Sequence, residues 1–108
     1  MANMIKTEKE FREIIGSGET VTVKFFAGWC PDCKRMDMFM PSVLEEFQEF
    51  PLYELNKDEL PDLAAEYNVM GIPSLLVFKN DEKLGHLHSA NAKTPEQVSE
   101  YLGEYYSK

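Results

Sequence analysis

The residues with the clearest chemical potential are two cysteines three positions apart. Cys30 and Cys33 are the only cysteines of the chain, and they enclose Pro31 and Asp32. A structural disulfide framework needs more cysteines, scattered along the chain, and a structural zinc site needs four ligands. In a reducing compartment a lone Cys-x-x-Cys pair is more often catalytic than structural. The spacing therefore predicts thiol–disulfide exchange.

The predicted elements around this pair place it at the junction of a strand and a helix. Val21–Phe26 is a short apolar run rich in β-formers, which predicts a central strand covered on both faces. Gly28 ends this strand, and from about Pro31 apolar residues recur at helical spacing until Pro51 stops the helix. Cys30 would therefore lie at a helix N-terminus, where unpaired N–H groups and the helix dipole favour a thiolate.

This position predicts an exchange reaction in two steps. We expect Cys30 to be exposed to solvent and partly ionised, so that its thiolate attacks a substrate disulfide. Cys33 lies one helical turn further on and resolves the mixed disulfide, which leaves a bond between the two cysteines. Asp32 opposes the thiolate, whereas Lys34 and the helix terminus favour it, and the balance predicts a Cys30 pKa below that of free cysteine.

The rest of the chain alternates helices and strands before a hairpin and a final helix. Capping boxes at Thr7–Glu10 and Thr94–Gln97 open the first and last helices. The order predicts an α/β fold with a central mixed β-sheet of four or five strands, flanked by helices on both faces, in a single domain over residues 1–108. The other predicted elements are a strand over Leu52–Leu55, a helix over about Leu60–Tyr67, a strand over Ser74–Lys79, a turn at Asn80–Asp81 and an edge strand over Lys83–His88.

Composition and charge narrow the classes of partner. The 108 residues are 44% hydrophobic and carry a net charge of −8, which argues against nucleic acid and anionic membranes as partners. The N-terminal residues hold no apolar stretch long enough for a signal peptide, and no run approaches the length of a membrane span. We therefore expect a cytoplasmic monomer without a metal or another cofactor.

Two separated motifs resemble those of the thioredoxin family. The stretch Phe25–Cys30 matches the family's approach to its cysteine pair, and Gly71–Ser74 matches the loop before a later strand, where the family has a cis proline. The resemblance covers nearly the whole chain and implies a thioredoxin-like fold. It implies a disulfide reductase that is itself reduced by a thioredoxin-reductase-type flavoenzyme. It also implies that cis-Pro73 packs against the cysteines and that the Ile72 backbone pairs with the substrate. From its position we expect Trp29 to form a partly exposed platform beside Cys30, and a core residue is the alternative.

A reversed pair of charges is the main departure from the family pattern. Lys24 stands on the central strand where the family has a buried aspartate, and Glu54 stands where the family has a lysine. A buried lysine alone would lose its charge or destabilise the fold, and pairing with Glu54 avoids this. We expect the pair to lie behind Cys33 and to handle its proton during resolution. The alternative is that Lys24 reaches solvent and has no chemical role.

Further departures bear on the substrate. Pro31 and Asp32 replace the family's usual Gly-Pro between the cysteines, and Ser89 stands where the family has a glycine beside the substrate groove. We expect the motif dipeptide to contact substrate, and a side chain at Ser89 to narrow docking. The leading prediction is a reductase of protein or small-molecule disulfides, and a narrow reductase of low-molecular-weight disulfides is the alternative within the same class.

Metal binding is the alternative from a different functional class. His86 and His88 alternate on one strand and could complete a Cys2His2 site with the two cysteines, but we interpret them as surface or packing residues. A non-enzymatic module could also hold a metal or an iron–sulfur cluster through Cys30 and Cys33 across a dimer.

Overall fold

The computed structural model describes residues 3–48 and 51–107, which form one five-stranded sheet between two layers of helices. The elements are β1 (Asn3–Ile5), α1 (Glu8–Ile15), β2 (Val21–Phe26), α2 (Pro31–Leu44), β3 (Leu52–Asn56), α3 (Pro61–Glu66), β4 (Ser74–Lys79), β5 (Glu82–Leu87), a 3-10 turn (Ser89–Asn91) and α4 (Pro95–Leu102). Strand order across the sheet is β1-β3-β2-β4-β5.

The sheet is mixed, as predicted. β2 lies at its centre and pairs in parallel with β3 and antiparallel with β4. β5 returns from β4 as an antiparallel edge strand, and the short β1 adds a fifth strand by pairing in parallel with β3. The register places Lys24 directly beside Glu54 on β3. The cysteine motif therefore follows the end of the central strand, which is paired on both sides.

Apolar clusters on both faces of the sheet explain why the first five residues of β2 and of β4 are all buried. On one face α1 and α3 pack against the sheet, and the rings of Phe11 and Phe78 meet edge to face at 5.4 Å. On the other face α2 and α4 pack together, with Met36 of α2 and Val98 of α4 both fully buried. Because both faces are covered, even the polar residues Thr22 and Lys24 of β2 are buried.

The helix starts follow the predicted capping chemistry. The Thr7 hydroxyl accepts the N–H of Glu10 at 3.1 Å, and the Glu10 carboxylate accepts the N–H of Thr7 at 3.0 Å. The reciprocal pair at Thr94 and Gln97 has distances of 3.2 Å in both directions. Each box satisfies donors that a helix N-terminus would otherwise leave unpaired.

The end of α2 differs from the prediction. A helix reaching toward Pro51 was expected, but α2 ends at Leu44 and tighter turns follow, in which the N–H of Phe47 donates to the Leu44 carbonyl at 3.2 Å. Two acidic residues follow Leu44, and the last turn holds no basic one, so the negative end of the helix dipole disfavours further turns. Residues 49–50, which the prediction included, lie outside the described residues.

The hairpin between β4 and β5 is docked onto the first helix. Asn80 and Asp81 have φ of 52° and 68°, the left-handed conformation that a tight two-residue turn requires. The N–H of Asp81 donates to the carbonyl of Ile15, the last residue of α1, at 2.9 Å.

At 14 residues, α2 is the longest helix in the described part of the chain. No helix in that part combines the length and apolarity needed to span a membrane.

Candidate active site

The two cysteines lie where the sequence placed them, at the junction of β2 and α2. Cys30 is the N-cap of α2, Pro31 occupies the first helical position, and Cys33 follows within the first turn. The cysteines are joined in a disulfide with their Cα atoms 5.3 Å apart. Cys30 Sγ accepts the backbone N–H of Cys33 at 3.1 Å, so one of the free N–H groups of the helix start already points at this sulfur.

Burial of the disulfide contradicts one expectation. Cys30 was expected to be exposed, but it is only 3% exposed, and Cys33 is 2% exposed. The bond to Cys33 turns the Cys30 sulfur inward, where it lies 3.8 Å from the Ile72 carbonyl, and Ala27 and Phe26 pack around the pair. Only a narrow part of Cys30 is therefore accessible in the oxidised state.

The loop before β4 forms one wall of this site. The Ile72–Pro73 peptide bond is cis, as the family resemblance implied, and the Ile72 carbonyl faces Cys30. The hydroxyl of Ser74 donates to the Gly71 carbonyl at 2.6 Å and closes the loop. A Cβ added at Gly71 would collide with the hydroxyl of Ser89, so Ser89 packs directly against the loop. The residue that departs from the family pattern thus borders the wall that we expect to meet substrate.

Trp29 forms an exposed aromatic surface at the site. Its side chain is among the exposed large hydrophobics at 65% exposure, directly before Cys30. The indole N–H donates to the Asp58 carboxylate at 2.9 Å, and Lys57 Nζ lies 5.6 Å from the ring centroid. This hydrogen bond, with one from Lys57, lowers the pKa of the Asp58 carboxyl. The loop after β3 therefore holds the indole in place without covering it.

Lys24 is buried at the centre of the sheet, with 2% of its side chain exposed. Its Nζ donates to the Cys33 carbonyl at 3.3 Å and forms an ion pair with the Asp37 carboxylate. The predicted partner, Glu54, lies 3.9 Å away. The alternative in which Lys24 reaches solvent is wrong, and the predicted pairing was incomplete because Asp37 is the nearer partner.

Asp37 links the buried ammonium to solvent. It follows Cys33 by one helical turn, so both lie on the same side of α2. The side chain of Asp37 is 58% exposed and that of Glu54 is 24% exposed. A cavity of about 260 Å³ is lined by Lys24 and by both carboxylates. Sequence analysis missed Asp37, although its spacing of four from Cys33 was a signal that could have identified it.

A second ion pair stands on the other side of the cysteine motif. Asp32, between the cysteines, accepts a hydrogen bond from Lys93 Nζ at 2.6 Å, and both side chains are about two-fifths exposed, at 37% and 43%. This hydrogen bond and the charge of Lys93 lower the pKa of the Asp32 carboxyl, with a smaller contribution from Arg35. Lys93 lies 61 residues further along the chain, and no sequence signal joined the two.

The two histidines stack on each other, which places them as packing residues of β5 and its exit. The rings of His86 and His88 have centroids 3.8 Å apart, and Lys83 Nζ lies 3.4 Å from His86 Nδ1. Burial, with the charges of His88 and Lys83, lowers the pKa of His86 to about 4. Within residues 3–48 and 51–107, no group of three or more His, Cys, Asp or Glu side chains is arranged to hold a metal ion.

Comparisons with known proteins agree with this geometry. The thioredoxin family profile matches residues 2–103. Thioredoxin-1 of Saccharomyces cerevisiae is 33% identical over 98 residues, which cover 91% of this chain and 95% of the yeast protein. Thioredoxin of Oryctolagus cuniculus is 32% identical over 93 residues, which cover 84% and 89% of the two chains.

The structural comparison confirms the predicted fold class. The structure of Plasmodium falciparum thioredoxin superposes with a TM-score of 0.85 and covers 96% of this chain and 99% of that one. The sequence identity over that alignment is 24%, so this likeness concerns the fold alone. The thioredoxin-like α/β architecture expected from the resemblance is thus the observed one.

Proposed function

The chain belongs to the thioredoxin family, and from that premise we propose how its residues divide the work of thiol–disulfide exchange. It is a thiol–disulfide oxidoreductase that uses the Cys30–Cys33 pair, acts on disulfide substrates and depends on a reductase partner. This assignment replaces the non-enzymatic metal or iron–sulfur module, which rested on the cysteine pair alone. Cys30 is the nucleophile, Cys33 is the resolving thiol, and protein or small-molecule disulfides are the substrates.

A single observation supports this division most directly, namely the hydrogen bond from the Cys33 N–H to Cys30 Sγ at 3.1 Å. In the reduced protein, the same N–H and the positive end of α2 stabilise a thiolate on Cys30 rather than on Cys33. Cys33 lies inside the first turn, and its carbonyl faces Lys24. The two sulfurs therefore occupy different electrostatic surroundings, as a nucleophile and a resolving group should.

The cycle balances over two exchanges. The Cys30 thiolate attacks one sulfur of a substrate disulfide, forms a mixed disulfide and releases the first substrate thiolate. The Cys33 thiolate then attacks Cys30 Sγ, releases the second substrate thiolate and leaves the Cys30–Cys33 disulfide that the structure contains. The substrate gains two electrons, and the oxidised protein must receive two electrons from its reductase partner before it acts again.

The surroundings of the disulfide suggest how substrate is seated. Trp29 offers an exposed apolar platform before Cys30, and the Ile72 backbone next to Pro73 lies beside the sulfur. We assign these residues to substrate binding, with an extended substrate segment pairing with the Ile72 backbone. Pro31 and Asp32, which lie between the two cysteines at the start of α2, are also assigned to substrate binding.

Lys24 and its carboxylate partners are assigned to the second exchange. A buried ammonium hydrogen-bonded to the Cys33 carbonyl favours negative charge nearby, so it favours the Cys33 thiolate during resolution. The proton that Cys33 loses can reach solvent through Asp37 or Glu54, both of which line the cavity beside Lys24. Lys24 is thus a positioning residue that supplies charge, and the carboxylates supply a proton path.

The electron donor and the setting are also proposed. We assign reduction to a thioredoxin-reductase-type flavoenzyme and place the protein as a monomer in the cytoplasm, where a lone redox pair remains reducible. Reduction of the purified disulfide by such a flavoenzyme, sedimentation of the reduced protein and microscopy of a fluorescent fusion test these three statements. Failure to accept electrons from the flavoenzyme, a stable dimer or a secreted fusion would each overturn the corresponding one.

Insulin-disulfide reduction with dithiothreitol as the electron source tests the division of roles. Cys30→Ser should lower the rate to that of dithiothreitol alone. When the reduced variants are freed of dithiothreitol before they meet insulin, Cys33→Ser should trap a mixed disulfide that is visible by mass spectrometry, and Cys30→Ser should form no covalent adduct. A trapped adduct in Cys30→Ser, or full turnover in either variant, would contradict the proposal.

The role of Lys24 is tested in a single turnover with an aromatic disulfide whose two thiolates absorb visible light. The first release reports attack by Cys30, and the second reports resolution by Cys33. Lys24→Met should slow the second release at neutral pH and move its pH profile to higher pH, while the first release is unchanged. Lys79→Met, which removes an exposed lysine from the end of β4, is the matched control. An unaltered second release in Lys24→Met would refute the assignment.

A further inference from the structure

The ion pair between Asp32 and Lys93 joins the start of α2 to the start of α4 beside the redox cysteines. We infer that Lys93 is a positioning residue whose ammonium cancels the charge of Asp32 and so keeps the Cys30 thiolate populated. The inference rests on the proposed role of Cys30 as the nucleophile. It assigns a functional effect to a side chain that lies 61 residues away from the motif in sequence.

The backbone around Lys93 is fixed, so its ammonium is delivered to a defined place. The N–H of Lys93 donates to the Gln97 side chain at 2.8 Å, as part of the cap that opens α4. Ala92, directly before it, is buried, and α4 packs against α2 through Val98 and Met36. The packing of the two helices therefore brings their starts together, and there Lys93 Nζ lies 2.6 Å from the Asp32 carboxylate.

The charge of Asp32 needs a partner because it stands next to the nucleophile. Asp32 is the second residue of α2 and Cys30 is its N-cap, so a carboxylate and a thiolate would stand at the same helix terminus. Two anions at one helix terminus repel each other, and that repulsion raises the pKa of the thiol. A lysine bound to the carboxylate removes most of this repulsion without touching the sulfur.

Two other lysines near the motif have partners of their own, since Lys57 pairs with Asp58 beside Trp29 and Lys24 pairs with Asp37 behind Cys33. Lys34 directly follows Cys33, but in the described structure it forms no hydrogen bond or ion pair with Asp32. Arg35 acts on Asp32 only through its charge, without a hydrogen bond in the described structure. Lys93 is therefore the cation whose loss most directly unmasks Asp32.

The test is a charge cycle on the reduced protein, with the Cys30 pKa measured from thiolate absorbance. Lys93→Gln should raise this pKa by about half a unit, the size expected of one unmasked charge several ångströms away in partly solvated surroundings. Asp32→Asn should lower the pKa, because Lys93 then stands unopposed. The double variant should return close to the wild-type value, and Lys93→Arg should retain it.

The same variants should also differ in the rate of Cys30 attack and in the salt dependence of the Cys30 pKa. Because nucleophilicity rises as a thiol becomes less acidic, the loss of thiolate is partly offset, and a rise of half a pKa unit slows Cys30 attack at neutral pH by at most about twofold. Raising the salt concentration should shrink the pKa difference between Lys93→Gln and wild type, since the pair is half exposed and its charges are screened. Lys79→Gln, an exposed lysine elsewhere, should change neither quantity.

The outcomes distinguish an electrostatic effect on Cys30 from an ion pair that only stabilises the contact between two helices. They also distinguish failure of this inference from failure of the proposed function. If Lys93→Gln and Asp32→Asn lower the melting temperature but leave the Cys30 pKa unchanged, the pair only fastens two helices and the inference is overturned. If the two single variants shift the pKa in the same direction, charge cancellation is also overturned. The role of Cys30 as the nucleophile is tested by the loss of turnover in Cys30→Ser. The results for the Lys93 and Asp32 variants do not affect that test.

Discussion

Removing one partner of the buried Lys24–Asp37 pair should have very different effects depending on which partner is removed. Asp37→Asn keeps the shape of the side chain but takes away its charge, and it leaves a buried ammonium with the Cys33 carbonyl and a more distant Glu54. Lys24→Met removes the group that is hard to desolvate and leaves carboxylates that reach solvent. We therefore expect Asp37→Asn to be the more destabilising of the two.

The magnitude follows from the exposure of each partner. A hydrogen bond to a charged group contributes about 1.5–3 kcal/mol, and breaking a fully buried ion pair costs about 3–5 kcal/mol. Asp37 is 58% exposed and Glu54 remains 3.9 Å from Nζ, so screening and partial compensation reduce the expected loss for Asp37→Asn to about 2 kcal/mol. In Lys24→Met, the methionine side chain occupies the volume of the lysine methylene groups without introducing a charge. The free energy of unfolding of this variant should therefore stay within about 1 kcal/mol of wild type.

Urea unfolding of the oxidised protein, followed by far-ultraviolet circular dichroism, measures the difference. A loss of about 2 kcal/mol should lower the urea midpoint by about 1–2 M at an unchanged slope. In the double variant the effect of Asp37→Asn should vanish, because no buried ammonium remains to be stranded. A Lys24→Met protein less stable than Asp37→Asn, or effects that simply add in the double variant, would show that the desolvation cost does not fall on the Lys24 ammonium.

Two smaller effects follow from other contacts. The pKa of His86 is lowered from its ordinary 6.5 to about 4, so between these values the unfolded chain binds a proton that the folded chain does not, and the melting temperature should fall as pH drops through this window. His86→Gln should flatten that slope, and an equal slope in both proteins would contradict the assignment. Asp58→Ala frees the indole of Trp29, the only tryptophan, and should increase the fast component of its fluorescence anisotropy decay. Because the contact is exposed, the melting temperature should change little, and an unaltered decay would show that Asp58 does not restrain the ring.

Local chemistry accounts for the parts of the fold that the sequence predicted well. The capping boxes at Thr7 and Thr94 act within four residues, so their residue types alone fix where helices begin. The apolar run of β2 marks a strand covered on both faces, and the same run delivers Cys30 to a helix start. The cis geometry of Pro73 was expected only through the family resemblance, since an isolated Ile-Pro pair does not specify it.

The features that the sequence did not predict depend on distant parts of the chain. Lys93 reaches Asp32 only because α4 packs on α2, and Asp37 outcompetes Glu54 because the helix brings it closer to Lys24 than the neighbouring strand does. Burial of Cys30 depends on the loop before β4 folding over the disulfide. Each of these facts is a distance between elements, and residue spacing within one element does not fix it. Only Asp37 left a signal in the sequence, because its spacing of four from Cys33 places both residues on one side of α2.

The recessed position of the oxidised sulfur has a consequence for the electron donor, because the donor is the partner that must attack this disulfide. With 3% of Cys30 accessible, a collision from an arbitrary direction meets hydrocarbon or indole rather than sulfur. A reductase can reach the bond only if its attacking thiolate stands on a segment that projects from the body of that protein. Steric access, in addition to reduction potential, should therefore limit which thiols return this protein to its dithiol state.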